Sequence, residues 1–179
     1  KIFAIENPVV IARREEDPEA EKLARKMAGE KWMLSMGRLH RQKGHDLLLK
    51  AFARLPEEIR QGWNIGILGD GPEEVSLQDL IFDLGLQESA HLLGVFSNPY
   101  PVLRAGQFFV LSSRYEGFAI ALAEAMACGL PAVAFDCPSG PGDIVRGGID
   151  GLLLPSGDVG RLSKAMHRMM RDEDMRREF

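Results

Sequence analysis

Cysteine is scarce in this chain: only Cys128 and Cys137 occur in 179 residues, and eight residues separate them. Neither a CxxC pair nor a Cys/His ligand spacing is present, which argues against a disulfide scaffold and against a structural zinc site. Reduced, intracellular thiols are the expectation. Long apolar runs are lacking as well; none approaches the ~20 residues that carry a helix across a bilayer. Aromatic residues make up 7%, and 22 Lys+Arg against 26 Asp+Glu give a net charge of −4. That balance excludes general nucleic-acid binding. No segment fits GxGxxG or GxxxxGK(S/T), so a dinucleotide fingerprint and P-loop phosphoryl transfer both lose support. Internal repeats and low-complexity tracts are absent. What remains is ordinary globular composition, 45% hydrophobic and 27% charged, with length for one domain at roughly 150 residues each. The first residue, Lys1, and the charged stretch Arg171–Phe179 are abrupt, so the chain is expected to be part of something longer.

Short apolar runs recur along the chain: Trp32–Met36, Trp63–Leu68, His91–Leu93, Phe108–Leu111, Ala132–Phe135 and Gly151–Leu154. They lack strict alternation, as strands covered on both faces do. Between them, apolar residues fall at helical spacing. Leu48, Ala51, Phe52 and Leu55 share one face, and Leu77, Leu80, Ile81 and Leu84 share another. Leu122, Ala125 and Met126 repeat the pattern, as do Leu162, Met166, Met169 and Met170. Strand followed by helix, six times over, predicts an α/β fold: an open parallel sheet of about six strands with helices on both faces. A charged helix is expected from about Pro18 to Gly29, preceded by a short strand at Ile2–Ile5 that Asn7-Pro8 stops.

In such sheets ligands bind where strands end and loops lead into helices. The first of these loops is Gly37-Arg38-Leu39-His40-Arg41-Gln42-Lys43-Gly44. From Trp32 to Arg54 five basic residues face one acid, Asp46, a local +4 in a chain of −4. Arg38 and Lys43 flank a loop that opens a helix, whose N-terminus itself favours anions. A diphosphate suits it; so does plain solvent. His40 and His45 flank the same loop. The second loop, Gly69-Asp70-Gly71-Pro72, reads as a tight turn into a helix. The third holds Glu116 in the loop and Glu124 within an apolar helix, where a carboxylate is costly to bury unless something binds it. Its backbone N–H groups from Gly117 to Ile120 are expected to face a phosphate. The fourth, Cys137–Asp143, is rich in Gly and Pro and reads equally as a ligand cover or an ordinary loop.

Together these motifs resemble the carboxyl-terminal half of a retaining glycosyltransferase of family 4, with the GT-B fold. The resemblance runs from Asn7-Pro8 to about Arg171. It rests on Gly37-Arg38-Leu39 with Lys43-Gly44, Gly69-Asp70-Gly71-Pro72, Leu93-Gly94, Ser113-Arg114-Tyr115-Glu116-Gly117-Phe118, Glu124 through Pro131, Gly140-Pro141 and Asp150 through Pro155. Each motif alone is weak; Glu116-x7-Glu124 in this strand-to-helix setting, with the basic loop ahead of it, is specific.

The resemblance implies one Rossmann-like domain over residues 16–179, with 1–15 as an interdomain linker and short strand. The amino-terminal acceptor domain would lie outside this chain. Arg38, Lys43 and Glu116 would be catalytic: the two bases hold the donor diphosphate, and Glu116 meets the transferred sugar. Gly37, Gly94, Phe96, Gly117, Phe118, Ala119, Leu122 and Glu124 would bind the donor, with Glu124 on the ribose hydroxyls and Gly94–Phe96 beside the base. The ligand it implies is a nucleotide-diphosphate sugar, with no cofactor and no obligatory metal. The acceptor would be a sugar, a lipid-linked sugar or a polysaccharide, and nucleic acid would not be a partner. A cytoplasmic location follows, with peripheral contact at the inner membrane face left open to the full-length protein. Asp143, where the family often has Glu, and Ala105-Gly106-Gln107, where it usually has Ala-Asp, are departures. A nucleotide-sugar epimerase of related architecture and a non-catalytic nucleotide-binding module are the competing readings.

Overall fold

A computed structural model describes residues 15–138 and 140–179. The expected strand at Ile2–Ile5 and nearly all of the linker lie outside the described residues. The six parallel strands are β1 (Lys31–Met36), β2 (Trp63–Leu68), β3 (Ala90–Gly94), β4 (Phe108–Leu111), β5 (Ala132–Asp136) and β6 (Gly151–Pro155), in spatial order β3-β2-β1-β4-β5-β6. The helices are α1 (Pro18–Met27), α2 (His45–Ala53), α3 (Glu57–Arg60), α4 (Glu74–Asp83), α5 (Tyr100–Ala105), α6 (Ile120–Ala127), α7 (Pro141–Ile144), α8 (Val159–Arg171) and α9 (Glu173–Glu178). Each of the six expected sheet strands is present within one residue at either end.

The continuous apolar runs divide between two cores by strand alternation. Met33, Ile65, Ile67, Phe108, Val110, Val133 and Phe135 point to one face, against Leu48 and Phe52 of α2 and Leu162 and Met166 of α8. Trp32, Leu34, Phe109, Leu111, Ala132 and Ala134 point to the other, against Ala20 of α1, Leu103 of α5 and Leu122 of α6. Both faces are thus covered, which is why the strands are mostly apolar, with Ser35, Asn64 and His91 the polar residues inside β1–β3. The Met-rich helix α8 packs on the sheet, and its basic residues Arg161, Lys164, Arg168 and Arg171 stay exposed.

Two local features have identifiable causes. The charged tail after Arg171 forms α9: Asp172 accepts from the Met175 N–H at 2.9 Å, and Met175 is buried. Arg176 then lies over the Trp63 ring, 5.4 Å from its centroid, so the segment is held by a cap, an apolar anchor and a cation–π contact. At Ala105-Gly106-Gln107, expected to be a structural departure, the Gln107 side-chain oxygen accepts the Trp32 N–H, and the Gln107 N–H donates to the Trp32 carbonyl at 2.8 Å.

The sheet order reverses between β1 and β4, so the helices that follow them, α2 and α6, pack on opposite faces and leave a crevice at the carboxyl ends, where ligands of open α/β sheets bind. Helix α1 is fastened near that crevice. Asp17 caps α1 through the Ala20 N–H at 3.1 Å and also accepts from the Ser97 N–H and hydroxyl, both at 2.9 Å. Those hydrogen bonds hold its carboxyl below the usual range and tie the start of the described chain to the loop after β3.

Candidate functional site

The loop after β1 turns sharply at Gly44, with φ +65°, and a Cβ there would lie 2.0 Å from the Ser112 carbonyl oxygen. Only glycine permits this approach of the β1 and β4 loops. The Ser112 hydroxyl then donates to the Gly44 carbonyl at 2.8 Å. Gly69, after β2, repeats the device: at φ +135° a Cβ would meet the Gly37 carbonyl oxygen at 2.1 Å. Backbone packing of this kind leaves the polar side chains of the loops to face one another.

Lys43 lies with its stem over Gly37, where a Cβ would come within 3.2 Å of its methylenes. Its ammonium crosses to the β4 loop and donates to both oxygens of Glu116, at 2.7 and 2.9 Å. The Glu116 side chain is only 3% exposed, and Oε1 also accepts from the Ser113 hydroxyl at 2.6 Å. A buried carboxylate demands such partners. Outside this pair the loops are laced together. Arg114 forks onto Asp46 at 2.8 and 2.9 Å and donates to the Arg41 carbonyl at 2.7 Å. The Arg114 N–H donates to the Gln42 carbonyl at 2.8 Å, and the Gln42 amide returns a bond to the Tyr115 carbonyl at 3.0 Å. Burial pushes the Asp46 carboxyl up, but the hydrogen bond and charge of Arg114, with Lys50, outweigh it and hold the group low.

Beside the pair, Gly37, Arg38, Gly69, Asp70, Gly94 and Phe96 line one cavity of about 300 Å³. Arg38 is exposed at its edge. Pro99 also lines this cavity, and the next residue, Tyr100, donates its hydroxyl to Glu124 Oε1 at 3.1 Å. Glu124 is half-buried on α6.

Leu122, expected among the donor-binding residues, stands apart from these groups. It is fully buried in the core beneath α6. Two helical steps of 100° put it nearly opposite Glu124, so a residue beside the acid in sequence faces the sheet rather than the crevice. The N–H of Ile120 is also taken, by the Phe118 carbonyl at 2.8 Å. Those of Gly117, Phe118 and Ala119 make none of the loop's backbone hydrogen bonds among the described residues, and Gly117 is exposed with no atom within 4 Å of where a Cβ would stand.

The fourth loop borders the site. The Glu116 N–H reaches the Pro138 carbonyl at 3.4 Å, and Gly140 packs against the Ala119 backbone. Asp143 is exposed and lines, with Asp136, Cys137 and Gly142, a recess of about 370 Å³. Burial, then the charge of Glu116, pushes the Cys137 thiol up; burial does the same at Cys128. Both are free. His40 is exposed and accepts the Gln42 N–H at 3.3 Å on its own turn. His45 is instead buried, its Nδ1 3.5 Å from the Ser35 hydroxyl and its Nε2 without a hydrogen-bond partner. Burial, reinforced by the Lys43 charge, lowers its pKa to about 4.

Ser113, Tyr100, Asp46 and Arg114 join the site without having been singled out by spacing. Ser113 and Arg114 stand inside the motif around Glu116, which was the available signal. No spacing links Tyr100 to Glu124. Among the described residues no group of three or more His, Cys, Asp and Glu side chains is arranged to hold a metal ion, and no helix is long and apolar enough to cross a membrane.

The chain is similar to known proteins in sequence and in fold. Over 144 residues the chain is 41% identical to an exopolysaccharide phosphotransferase of Streptomyces coelicolor, covering 79% of this chain and 15% of that protein. Over 150 residues it is 33% identical to a diphospho-undecaprenol 4-alpha-N-acetylgalactosaminyltransferase of Campylobacter jejuni, covering 84% and 40%. The chain thus spans less than half the length of these curated relatives. Among solved structures, a glycosyltransferase of lipopolysaccharide biosynthesis, WaaG, superposes with TM-score 0.78 at 19% identity, covering 91% of this chain and 45% of that one. HepE of Anabaena, solved with UDP, gives 0.77 at 25% identity, with coverages of 90% and 45%. The sequence profile described as "Glycosyl transferases group 1" matches residues 16–179, and the chain belongs to that family.

Proposed function

We propose that this chain is the donor-binding half of a retaining glycosyltransferase of family 4, holding a nucleotide-diphosphate sugar for transfer to an acceptor on a second domain. The observation that carries this is the meeting of Lys43 and Glu116 at the carboxyl ends of β1 and β4, beside the cavity of Gly37, Arg38, Gly94 and Phe96. A cation, a carboxylate and an adjoining cavity are the three recognition elements that a diphosphate, a sugar and a base require. The solved Anabaena relative with UDP supports the ligand class.

In this reading Arg38 and Lys43 take the diphosphate, and the N–H groups of Gly117, Phe118 and Ala119 meet its oxygens at the start of α6. Glu116 accepts from the sugar hydroxyls, and Glu124, steadied by Tyr100, from those of the ribose. Transfer breaks the bond between the anomeric carbon and the phosphate oxygen through an oxocarbenium-like state. The electron pair leaves with the nucleoside diphosphate, the acceptor oxygen bonds to the anomeric carbon with net retention, and the acceptor's hydroxyl proton passes to the departing phosphate oxygen. Fixed cations and backbone dipoles meet the developing charge on the leaving group, so no obligatory metal is assigned. The acceptor would be a sugar, a lipid-linked sugar or a polysaccharide, approached from the cytoplasm, with peripheral membrane contact a matter for the full-length protein.

The test is a thermal-shift panel of UDP, GDP, ADP and their sugar conjugates on this chain. A ligand at 100-fold excess over its dissociation constant stabilises by ~2.7 kcal/mol, and both Lys43→Ala and Glu124→Ala are expected to diminish the response. No shift with any nucleotide at millimolar concentration, or shifts indifferent to both substitutions, would refute the assignment.

A further inference from the structure

The ammonium that is to bind phosphate is already engaged. Lys43 gives two of its three N–H donors to Glu116, and the carboxylate that receives them is nearly inaccessible to water. Its other side-chain partner is the Ser113 hydroxyl at 2.6 Å. If Lys43 turns to a diphosphate, Glu116 keeps one hydrogen bond and loses its counter-charge. If Lys43 stays, the incoming diphosphate meets a carboxylate beside the cation it needs. A bare nucleoside diphosphate therefore gains Lys43 only by stranding or confronting a buried negative charge, which is expensive.

An intact nucleotide sugar changes that balance. Its sugar carries hydroxyl donors, and Glu116 is the carboxylate placed to accept them. They can replace the ammonium as Lys43 turns, so both charges keep partners. We propose that the Lys43–Glu116 pair is a latch that makes the site favour an intact nucleotide-diphosphate sugar over the nucleoside diphosphate left after transfer. This rests on the donor-site assignment above and adds a discriminating role for Glu116. The carboxylate selects by penalising the ligand that lacks a sugar, and Lys43 is the element it withholds. The same pair favours release of the spent nucleotide, because Glu116 recaptures Lys43 once the sugar has gone.

Calorimetric titration of this chain with UDP, GDP and ADP, each beside its glucose or mannose conjugate, tests this. Wild type is compared with Glu116→Gln, Lys43→Met and Ser113→Ala, and each variant's melting is recorded without ligand. Glu116→Gln keeps the side chain's size and its acceptor oxygen for Ser113 while removing the charge. It is expected to tighten binding of the bare nucleotide roughly tenfold, about the worth of one charged hydrogen bond, and to shrink the preference for the sugar conjugate. Lys43→Met is expected to weaken both ligands. Ser113→Ala leaves Glu116 more dependent on Lys43 and is expected to weaken the bare nucleotide more than the conjugate; it decides the matter if Glu116→Gln does not fold. If Lys43→Met weakens binding while Glu116→Gln leaves or weakens bare-nucleotide affinity, the latch is overturned and the donor site stands. If neither substitution affects any nucleotide, the donor-site assignment fails and the latch fails with it.

Discussion

His45 shows how a single residue near a charged loop becomes part of the scaffold. It follows Gly44 directly and starts α2, yet its ring turns inward beneath the loop toward Ser35 rather than toward a ligand. Burial holds the folded-state pKa at about 4, against ~6.5 for an unfolded histidine. Between those values the unfolded chain binds the extra proton, so stability is complete above pH 6.5 and is lost as pH falls toward 4. The full difference corresponds to about 3 kcal/mol. Urea unfolding at pH 7 and pH 4.5 is expected to show this loss in the wild type and a smaller one in His45→Gln, which cannot titrate. Equal losses in both would place the acid sensitivity elsewhere. Sequence could mark His45 as a neighbour of Lys43; its inward turn depends on the path of the chain through Gly44. Lys43, Glu116 and Glu124 were legible because their types and spacing are themselves the signal. Ser113 and Tyr100 were not, since a hydroxyl that serves a carboxylate carries no spacing of its own.

Among the elements, strands were the most legible, because burial on both faces forces predominantly apolar runs without strict alternation, and alternation of side-chain direction then assigns Trp32 and Met33 to opposite cores. Short helices such as α5 and α7 were less so: neither is long enough to display a period. Least visible was the joining of the β1 loop to the β4 loop. Arg114 and Asp46 are 68 positions apart, and nothing local to either says that they meet. Their fork, with the Gln42 bonds, fixes the distance across which Lys43 reaches Glu116. Asp46→Asn and Arg114→Met are each expected to reduce nucleotide-induced stabilisation, with a coupling of ~0.5–3 kcal/mol in the double-mutant cycle for stability. Arg114→Lys retains charge but not the planar fork, and recovers only part. Strictly additive effects would mean that the two loops are held without this pair.

At the scale of the whole chain, a net charge of −4 conceals a basic segment from Trp32 to Arg54. Folding sets its loop with Arg38 and Lys43 at the reversal of sheet order, while Lys50 pairs with Asp46 on α2. The nearest buried acid, Glu116, is already satisfied by Lys43 and Ser113, and the acid of the adjacent clasp, Asp46, by Arg114 and Lys50. Asp70 is the one carboxylate lining the adjoining cavity, and among the described residues no group of three or more His, Cys, Asp and Glu side chains is arranged to hold a metal ion. A divalent cation at the Glu116 pair would sit beside Lys43, at a cost in like-charge repulsion. Nucleotide binding is therefore expected to need no divalent ion. The measurement is the thermal-shift response to the best-bound nucleoside diphosphate in excess EDTA, and again with magnesium or manganese restored at constant ionic strength. An unchanged response is expected in both. A response abolished by EDTA and recovered with the ion would put a metal between the protein and the diphosphate. Arg38 and Lys43 would then no longer be the groups that balance the leaving group's charge.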